Sequence, residues 1–151
     1  ENENYEHTNV LRSISMGLRA STCDRVMILY GDLVFNPETI KNLKLNSSCL
    51  VVDSSDTMNE DEVGCNISNN YIEQMLPDIE NKWAQIAFLI GEELSLFKKV
   101  AWDKDKSHYF GFEAINEVIG RGGRFKSVSP SGMKITDVDS SKDLSVAREI
   151  L

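Results

Sequence analysis

The sequence predicts an α/β fold, a three-layer sandwich around a mixed and mostly parallel sheet. Short apolar segments alternate along the chain with segments whose apolar residues recur at helical spacing. Two of the strand-like segments, Arg25–Tyr30 and Ser48–Asp53, are nearly continuous apolar runs, as is typical of strands buried on both faces. With 151 residues and no internal repeat, residues 1–151 are expected to form one domain.

Local signals in the first part of the chain define its elements. Asn9 can cap a helix, because the apolar residues that follow it recur at helical spacing. After the first apolar run, Asn36-Pro37-Glu38 opens a short helix, since proline suits the first helical turn. Residues 54–61 are polar and acidic and are expected to form a solvated loop.

A β-hairpin is predicted next. Residues 62–67 alternate between apolar and polar, Ser68-Asn69-Asn70 has the composition of a turn, and residues 71–75 can pair back. Residues 84–90 form another apolar stretch, and a helix is expected over residues 92–100.

The last third of the chain ends in a strand and a helix. A helix over residues 112–119 is closed by the glycines of residues 120–123, and residues 125–128 form a short strand. Residues 135–139 form the last strand. Ser140 then caps a final helix, with Asp143 as its capping-box partner.

Composition and charge narrow the class of partner. The net charge is −8, which argues against nucleic acid or an anionic membrane as the main partner. The three cysteines form no CxxC pair and are expected to be free thiols. Neither a long apolar run nor a secretory signal is present, so a cytoplasmic location is expected.

A first candidate site lies at Tyr30-Gly31-Asp32. A carboxylate there follows a glycine at the carboxyl end of a strand, where open α/β sheets bind their ligands. Gly31 would let a ligand approach the backbone. The alternative is that Asp32 only starts a turn.

A second candidate site is Asp137-Val138-Asp139-Ser140, where strand alternation puts both carboxylates on one face. Mg²⁺ is usually held by one or two carboxylates together with substrate phosphates. The alternative is that one aspartate caps the last helix and the other is solvated.

The two sites together predict a magnesium centre. If Asp32 and Asp139 converge to about 5 Å, their repulsion is about 3 kcal/mol at an effective dielectric constant of about 20. A bound cation would offset that cost, and its open positions would hold phosphate oxygens. The convergence of the two side chains is a hypothesis at this point.

The order of three segments resembles the sugar-phosphate nucleotidyltransferase superfamily and is especially similar to bacterial phosphocholine cytidylyltransferases. These are Thr8-Asn9 with Ser13, then ILYGDLVF, then DVDSSKDL. The resemblance implies a Rossmann-like nucleotidyltransferase fold that covers nearly the whole chain. It assigns Mg²⁺ and catalysis to Asp32 and Asp139, with Asp137 as a further metal ligand. It also places Asn9, Ser13 and Gly31 beside the nucleotide and acceptor.

The activity implied by this resemblance is Mg²⁺-dependent transfer of a nucleotidyl group from a nucleoside triphosphate to a small phosphorylated acceptor, with release of pyrophosphate. CTP is the expected donor. Phosphocholine, another phospho-amine or phosphonate, and a sugar 1-phosphate are the acceptors left open. Lys82-Trp83, Trp102 and the segment His108-Tyr109-Phe110 could line an acceptor pocket, because aromatic faces attract quaternary ammonium, although ordinary packing is the alternative.

One departure from the family pattern changes the expectation for activity. The family begins with a strand and a glycine-rich phosphate loop, and no such segment occurs here; the glycines at 120–123 follow a helix. We therefore expect an N-terminally truncated sheet and a chain with little transferase activity alone. A free sheet edge would invite pairing with a second copy.

Two other functions fit the same residues. A nucleotide-sugar glycosyltransferase can also use a D-x-D motif for a metal-diphosphate group, but it would carry that motif in mid-chain. A non-catalytic binding module could keep the fold without the loop.

Overall fold

The computed structural model of the chain describes residues 2–3, 5–54, 62–141 and 143–150. The strands are β1 (Arg25–Leu29), β2 (Leu33–Phe35), β3 (Cys49–Asp53), β4 (Val63–Ser68), β5 (Tyr71–Pro77), β6 (Lys82–Ile90), β7 (Lys126–Val128) and β8 (Ile135–Asp137). The α-helices are α1 (Val10–Ala20), α2 (Glu38–Lys41), α3 (Gly91–Ala101), α4 (Gly111–Gly120) and α5 (Asp143–Ile150). Short 3₁₀ helices cover Tyr5–His7 and Lys104–Lys106.

A mixed six-stranded sheet forms the centre, in the order β1-β6-β3-β7-β5-β4. The directions of the pairings give β1, β3, β4 and β7 a common orientation, with β5 and β6 reversed. Strand β6 lies between β1 and β3 and pairs antiparallel with both. The parallel pair among the described strands is β3–β7, and the other described pairings are antiparallel. The α/β class and the mixed sheet are as predicted, whereas neighbouring strands are less often parallel than expected.

Strand alternation divides the core between the two faces of the sheet. On β3, Leu50 and Val52 face the larger cluster, while Val51 faces the smaller one. Helices α1, α3 and α4 cover the larger cluster. The smaller one lies under α2 and a two-stranded ribbon formed by β2 and β8, which α5 also contacts. The three predicted layers are therefore the helices α1, α3 and α4, the six-stranded sheet, and on its other face α2 with the β2–β8 ribbon.

Most of the predicted helices and strands are present. Asn9 caps α1 as expected, and its side-chain oxygen accepts a hydrogen bond from the Val10 backbone N–H at 2.8 Å. Asn69 and Asn70, with φ angles of 50° and 65°, form the predicted hairpin turn. Most of the predicted acidic loop, residues 55–61, lies outside the described residues.

Strand β1 differs from its prediction. Its apolar run was expected to be buried on both faces of a parallel sheet. Instead, β1 lies at the edge of the six-stranded sheet and pairs antiparallel with β6, and Leu29 remains 39% exposed. The composition of β1 does not indicate whether the strand lies at the edge or in the centre of the sheet. Its edge position results from β6, which lies between β1 and β3. The free side of β1 is compatible with pairing to a second copy, which stays a prediction.

The three cysteines are free, as expected, with Cys23 exposed and the other two buried. Burial raises the pKa of the Cys65 thiol to about 12. Among the described residues, no helix combines the length and apolarity required to cross a bilayer.

Gly64 in β4 is a close-packing position that provides a test of the fold. A β-carbon there would overlap the backbone oxygen of Ile79 and lie 2.6 Å from that of Glu80. We expect Gly64→Ala to lower the free energy of unfolding by about 3 kcal/mol, because backbone atoms must move. Urea denaturation measures this change.

The control for this test is Gly17→Ala in the exposed part of α1, where a β-carbon meets nothing within 4 Å. It should stabilise the chain by about 0.5 kcal/mol, because alanine favours helix. A Gly64→Ala protein as stable as the unmodified chain would contradict the packing of β4 against the Ile79–Glu80 turn.

Candidate functional site

The β2–β8 ribbon brings the two predicted acidic motifs together. Strand β1 ends at Leu29, and the chain passes through Asp32 into β2. Leu33 of β2 pairs with Asp137 of β8, and the Val138 backbone N–H donates to the Asp32 carbonyl at 3.0 Å. The predicted convergence of the motifs is therefore present, through backbone pairing between segments distant in sequence.

The acidic side chains line a cleft of about 540 Å³ beside the ribbon. Four aspartates belong to its wall, and one lysine, Lys82 of β6, faces them. The cleft is lined by Tyr30, Asp32, Glu62, Val63, Pro77, Lys82, Trp83, Gln85, Phe110, Phe112, Asp137, Asp139 and Asp143. It therefore combines acidic groups with an aromatic wall.

Asp137 is held by two side chains of β6. Its Oδ1 accepts a hydrogen bond from Lys82 Nζ at 3.4 Å, and its Oδ2 accepts one from Gln85 Nε2 at 3.0 Å. Lys82 also donates to the Glu62 carboxylate, and the side chains of all three charged residues are less than a fifth exposed. Asp137 thus holds Lys82 in the cleft, and its predicted role as a metal ligand stays a prediction.

Asp139 lies beyond the end of β8, in the turn before α5, and not within the strand as predicted. The paired part of β8 ends at Asp137, opposite Leu33, the first residue of β2. Asp139 is exposed. Partial desolvation raises its pKa, the negative charges of Asp137, Asp32 and Asp143 raise it further, and Lys82 partly offsets them.

One half of the predicted capping box of α5 is present, the contact from the Asp143 side chain back to Ser140. Asp143 Oδ2 accepts hydrogen bonds from the Ser140 backbone N–H at 2.7 Å and from the Ser140 hydroxyl at 2.8 Å. It also accepts one from the Asp139 backbone N–H at 3.2 Å. This turn fixes the backbone of Asp139 next to the cleft and leaves its carboxylate exposed.

The donor set is suited to a hard cation that also binds substrate. Within the described ranges, no three His, Cys, Asp or Glu side chains could hold a metal by themselves. Asp32 and Asp139 are both exposed, and desolvation, followed by the charges of Asp137, Asp32 and Asp143, raises the pKa of Asp139. Two carboxylates with open positions fit Mg²⁺, which completes its shell with water and phosphate oxygens.

A second groove, of about 570 Å³, adjoins the cleft and contains the remaining predicted site residues. Asn9, Ser13 and Gly31 line this groove, and Asp32 belongs to both cavities. Ser13 is exposed one turn into α1, after the capped N-terminus at Asn9. The structure therefore places all six predicted site residues around two adjoining openings.

The aromatic wall is anchored in the core. Tyr30 and Trp83 make an edge-to-face contact with ring centroids 5.5 Å apart, while Phe110 stacks on Phe112 at 6.0 Å. Burial raises the pKa of Tyr30 to about 12, partly offset by its hydrogen bond with the Gly111 backbone. Phe110 is 52% exposed and offers an accessible aromatic face.

Two of the aromatic candidates do not form an open pocket. Trp102 is absent from the cleft lining and instead lies under the guanidinium of Arg19, 5.2 Å from its ring. Trp83 is buried and donates its indole N–H to the Ile86 carbonyl at 3.2 Å. Packing therefore accounts for both tryptophans, although Trp83 also forms part of the cleft wall.

Sequence reasoning missed the roles of Gln85 and Glu62, and it treated Asp143 only as a capping residue. Gln85 is a single polar residue in an apolar stretch, which was the one available signal. Its contact with Asp137 depends on tertiary structure that no local pattern encodes.

Comparison with solved structures shows that the chain has the fold of sugar-phosphate nucleotidyltransferases. It is similar to the inositol-1-phosphate CTP transferase from T. maritima, with a TM-score of 0.74 and 15% identity over 95% of this chain. It is also similar to the CTP:phosphocholine cytidylyltransferase from Streptococcus pneumoniae (TM-score 0.71, 14% identity, 99% of this chain). A putative glucose-1-phosphate thymidylyltransferase from Bacillus anthracis gives a TM-score of 0.70 at 17% identity over 95% of this chain.

The chain spans only part of these proteins: 62% of the T. maritima enzyme, 66% of the S. pneumoniae enzyme and 61% of the B. anthracis protein. Searches against protein-family models and against curated proteins found no match.

The raised pKa of Asp139 predicts that replacing this carboxylate with a neutral side chain increases the free energy of unfolding in a pH-dependent way. The folded state holds this proton more tightly, so the free energy of unfolding falls as pH rises from the ordinary value of 3.8 through the raised value. Asp139→Asn should therefore stabilise the chain at about pH 7 by less than about 1 kcal/mol, since exposed charges are screened. The gain should vanish at about pH 3, where both states are protonated.

Thermal unfolding at the two pH values measures this effect, with Asp24→Asn as the control because that exposed aspartate is absent from the cleft lining. If Asp139→Asn instead destabilises the chain at neutral pH, the carboxylate has a stabilising partner and the repulsion argument is wrong.

Proposed function

We propose that this chain is the major part of a Mg²⁺-dependent nucleotidyltransferase that transfers a nucleotidyl group from a nucleoside triphosphate to a small phosphorylated acceptor. The observation that carries the proposal is the convergence of Asp32 with Asp137 and Asp139 at one cleft, in a chain with the fold of such enzymes. In the reaction, an acceptor phosphate oxygen attacks the α-phosphorus of the triphosphate. The bond to the bridging oxygen breaks, and pyrophosphate leaves.

Asp32 and Asp139 would hold the metal ion in this proposal. The bound ion would supply positive charge to the phosphate oxygens of the reacting groups. Lys82 lies on the same cleft wall, where its ammonium is held by Glu62 and Asp137 and offsets part of their negative charge. No nucleophilic side chain is required, because the acceptor phosphate itself attacks, so the residues act by positioning and electrostatics.

We favour CTP as donor and an acceptor with a cationic headgroup. The T. maritima and S. pneumoniae proteins are named for CTP, and the latter for phosphocholine. In this chain, the exposed ring of Phe110 and the surrounding carboxylates give the cleft the chemistry that attracts an ammonium group. The free thiols favour the cytoplasm as its location, because thiols persist in a reducing compartment.

Metal binding tests the proposal directly. Calorimetric titration of the chain with Mg²⁺, with and without CTP, should detect binding at millimolar concentrations that CTP strengthens. Asp32→Asn and Asp139→Asn should each weaken binding by about tenfold or more, because each removes one charged ligand. Asp105→Asn is the control, since this exposed aspartate follows α3 and is absent from the cleft lining.

Turnover distinguishes the alternatives. Release of pyrophosphate from a triphosphate and a phosphorylated acceptor supports the proposal, while consumption of a nucleotide sugar would support a glycosyltransferase. A chain that binds neither Mg²⁺ nor CTP at millimolar concentrations would favour a non-catalytic module.

The acceptor preference predicts a role for Phe110. Phosphocholine should bind more tightly than glucose 1-phosphate, and Phe110→Ala should weaken phosphocholine binding by about tenfold through loss of a cation–π contact. Trp102→Ala is the matched control, because Trp102 is 40% exposed and outside the cleft lining. Tighter binding of glucose 1-phosphate, unaffected by Phe110→Ala, would exclude the cationic headgroup.

A further inference from the structure

The backbone of Gln85 is strained within an otherwise regular strand. Its φ angle is 56°, in the left-handed region that side chains other than glycine rarely adopt. The other described non-glycine residues with positive φ are Asn69, Asn70, Asp78 and Asn81. Those are asparagines or aspartate in turns or bends, which tolerate this conformation. Glutamine lacks this tolerance of the left-handed conformation, so the strain at Gln85 inside β6 needs another cause.

A β-bulge accompanies this strain. Leu50 of β3 pairs with Ala87 and Val52 pairs with Trp83, so a step of two residues on β3 faces a step of four on β6. The indole N–H of Trp83 donates to the Ile86 carbonyl at 3.2 Å and closes the bulge. Bulges of this kind redirect a side chain, and they are common beside active sites.

The redirected side chain is that of Gln85 itself. Regular alternation would place it on the same face as Trp83 and Ala87, which belong to the larger core cluster. Instead, its amide Nε2 donates to Asp137 Oδ2 at 3.0 Å in the acidic cleft. The strained backbone thus keeps a polar amide out of the core and brings it to the ribbon.

We propose that Gln85 is a positioning residue that clamps the β2–β8 ribbon onto β6 and so fixes the acidic side chains of the cleft. It acts through Asp137, whose strand pairs with β2 and whose neighbour Val138 is hydrogen-bonded to the Asp32 carbonyl. Both carboxylates proposed to bind the cation are therefore tied to the element that Gln85 holds. The inference rests on the proposed function only in taking the cleft as the working site.

Two substitutions separate the strain from the clamp. Gln85→Gly and Gln85→Ala both remove the amide, but only glycine accepts the positive φ freely. The Gly variant should therefore unfold at a temperature about 3 °C higher than the Ala variant, the reverse of the order in a regular strand. Asn70→Gly is the matched control, a glycine substitution at a φ of 65° in the β4–β5 turn, outside the lining of the cleft.

Hydrogen–deuterium exchange measures the clamp without reference to activity. The backbone amides of residues 33–35 and 135–137 should exchange about tenfold faster in both Gln85 variants and unchanged in Asn70→Gly. The dissociation constant for Mn²⁺, measured by electron paramagnetic resonance, should rise by about ten- to hundredfold in both Gln85 variants. Because the Gly variant relieves strain, its loss of affinity would not reflect unfolding.

Metal binding and hydrogen exchange test the proposed function and the clamp separately. If the unmodified chain binds no Mn²⁺, the proposed function loses its metal site, while the exchange rates still decide on the clamp. Unchanged exchange in the ribbon of Gln85→Gly would overturn the inference. The inference would also be overturned if the unmodified chain bound Mn²⁺ and the Gln85 variants bound it with the same dissociation constant.

Discussion

The candidate site depends on the backbone pairing of β2 with β8. These strands come from opposite ends of the chain, and their register sets Leu33 opposite Asp137. The continuation of the ladder, from the Val138 N–H to the Asp32 carbonyl, joins the two acidic motifs by main-chain atoms. Main-chain hydrogen bonds hold this ribbon together, and Asp32 and Asp139 beside it are both exposed.

This arrangement concentrates negative charge at a cost to stability. Lys82 is held by Glu62 and Asp137, so its positive charge is largely engaged within the wall. Partial desolvation raises the pKa of Asp139, and the negative charges of Asp137, Asp32 and Asp143 raise it further. A protein selected for stability alone would not gain from such a cluster, whereas a site that binds a cation and phosphates uses the unbalanced charge.

Local signals predicted the elements, but long-range pairing determined the site. Asn9 identified the start of α1 because capping involves only neighbouring residues, and Asn69-Asn70 identified the hairpin for the same reason. The edge position of β1 was not predictable, since it depends on β6 inserting between β1 and β3. The D-x-D spacing identified a segment that lines the cleft, yet the end of β8 at Asp137 gave its two carboxylates different surroundings.

Strand β6 explains why such a site can be precise. Its side chains Ala84 and Ile86 belong to the smaller core cluster, while Ala87 and Leu89 belong to the larger one. A strand held from both faces can store the strain of one residue, because the surrounding packing over-determines its backbone. The polar residues of the same strand, Lys82 and Gln85, both reach Asp137, so a strand that is packed on both faces contributes to the geometry of the cleft. Side chains mounted on a packed strand are held more rigidly than side chains on loops.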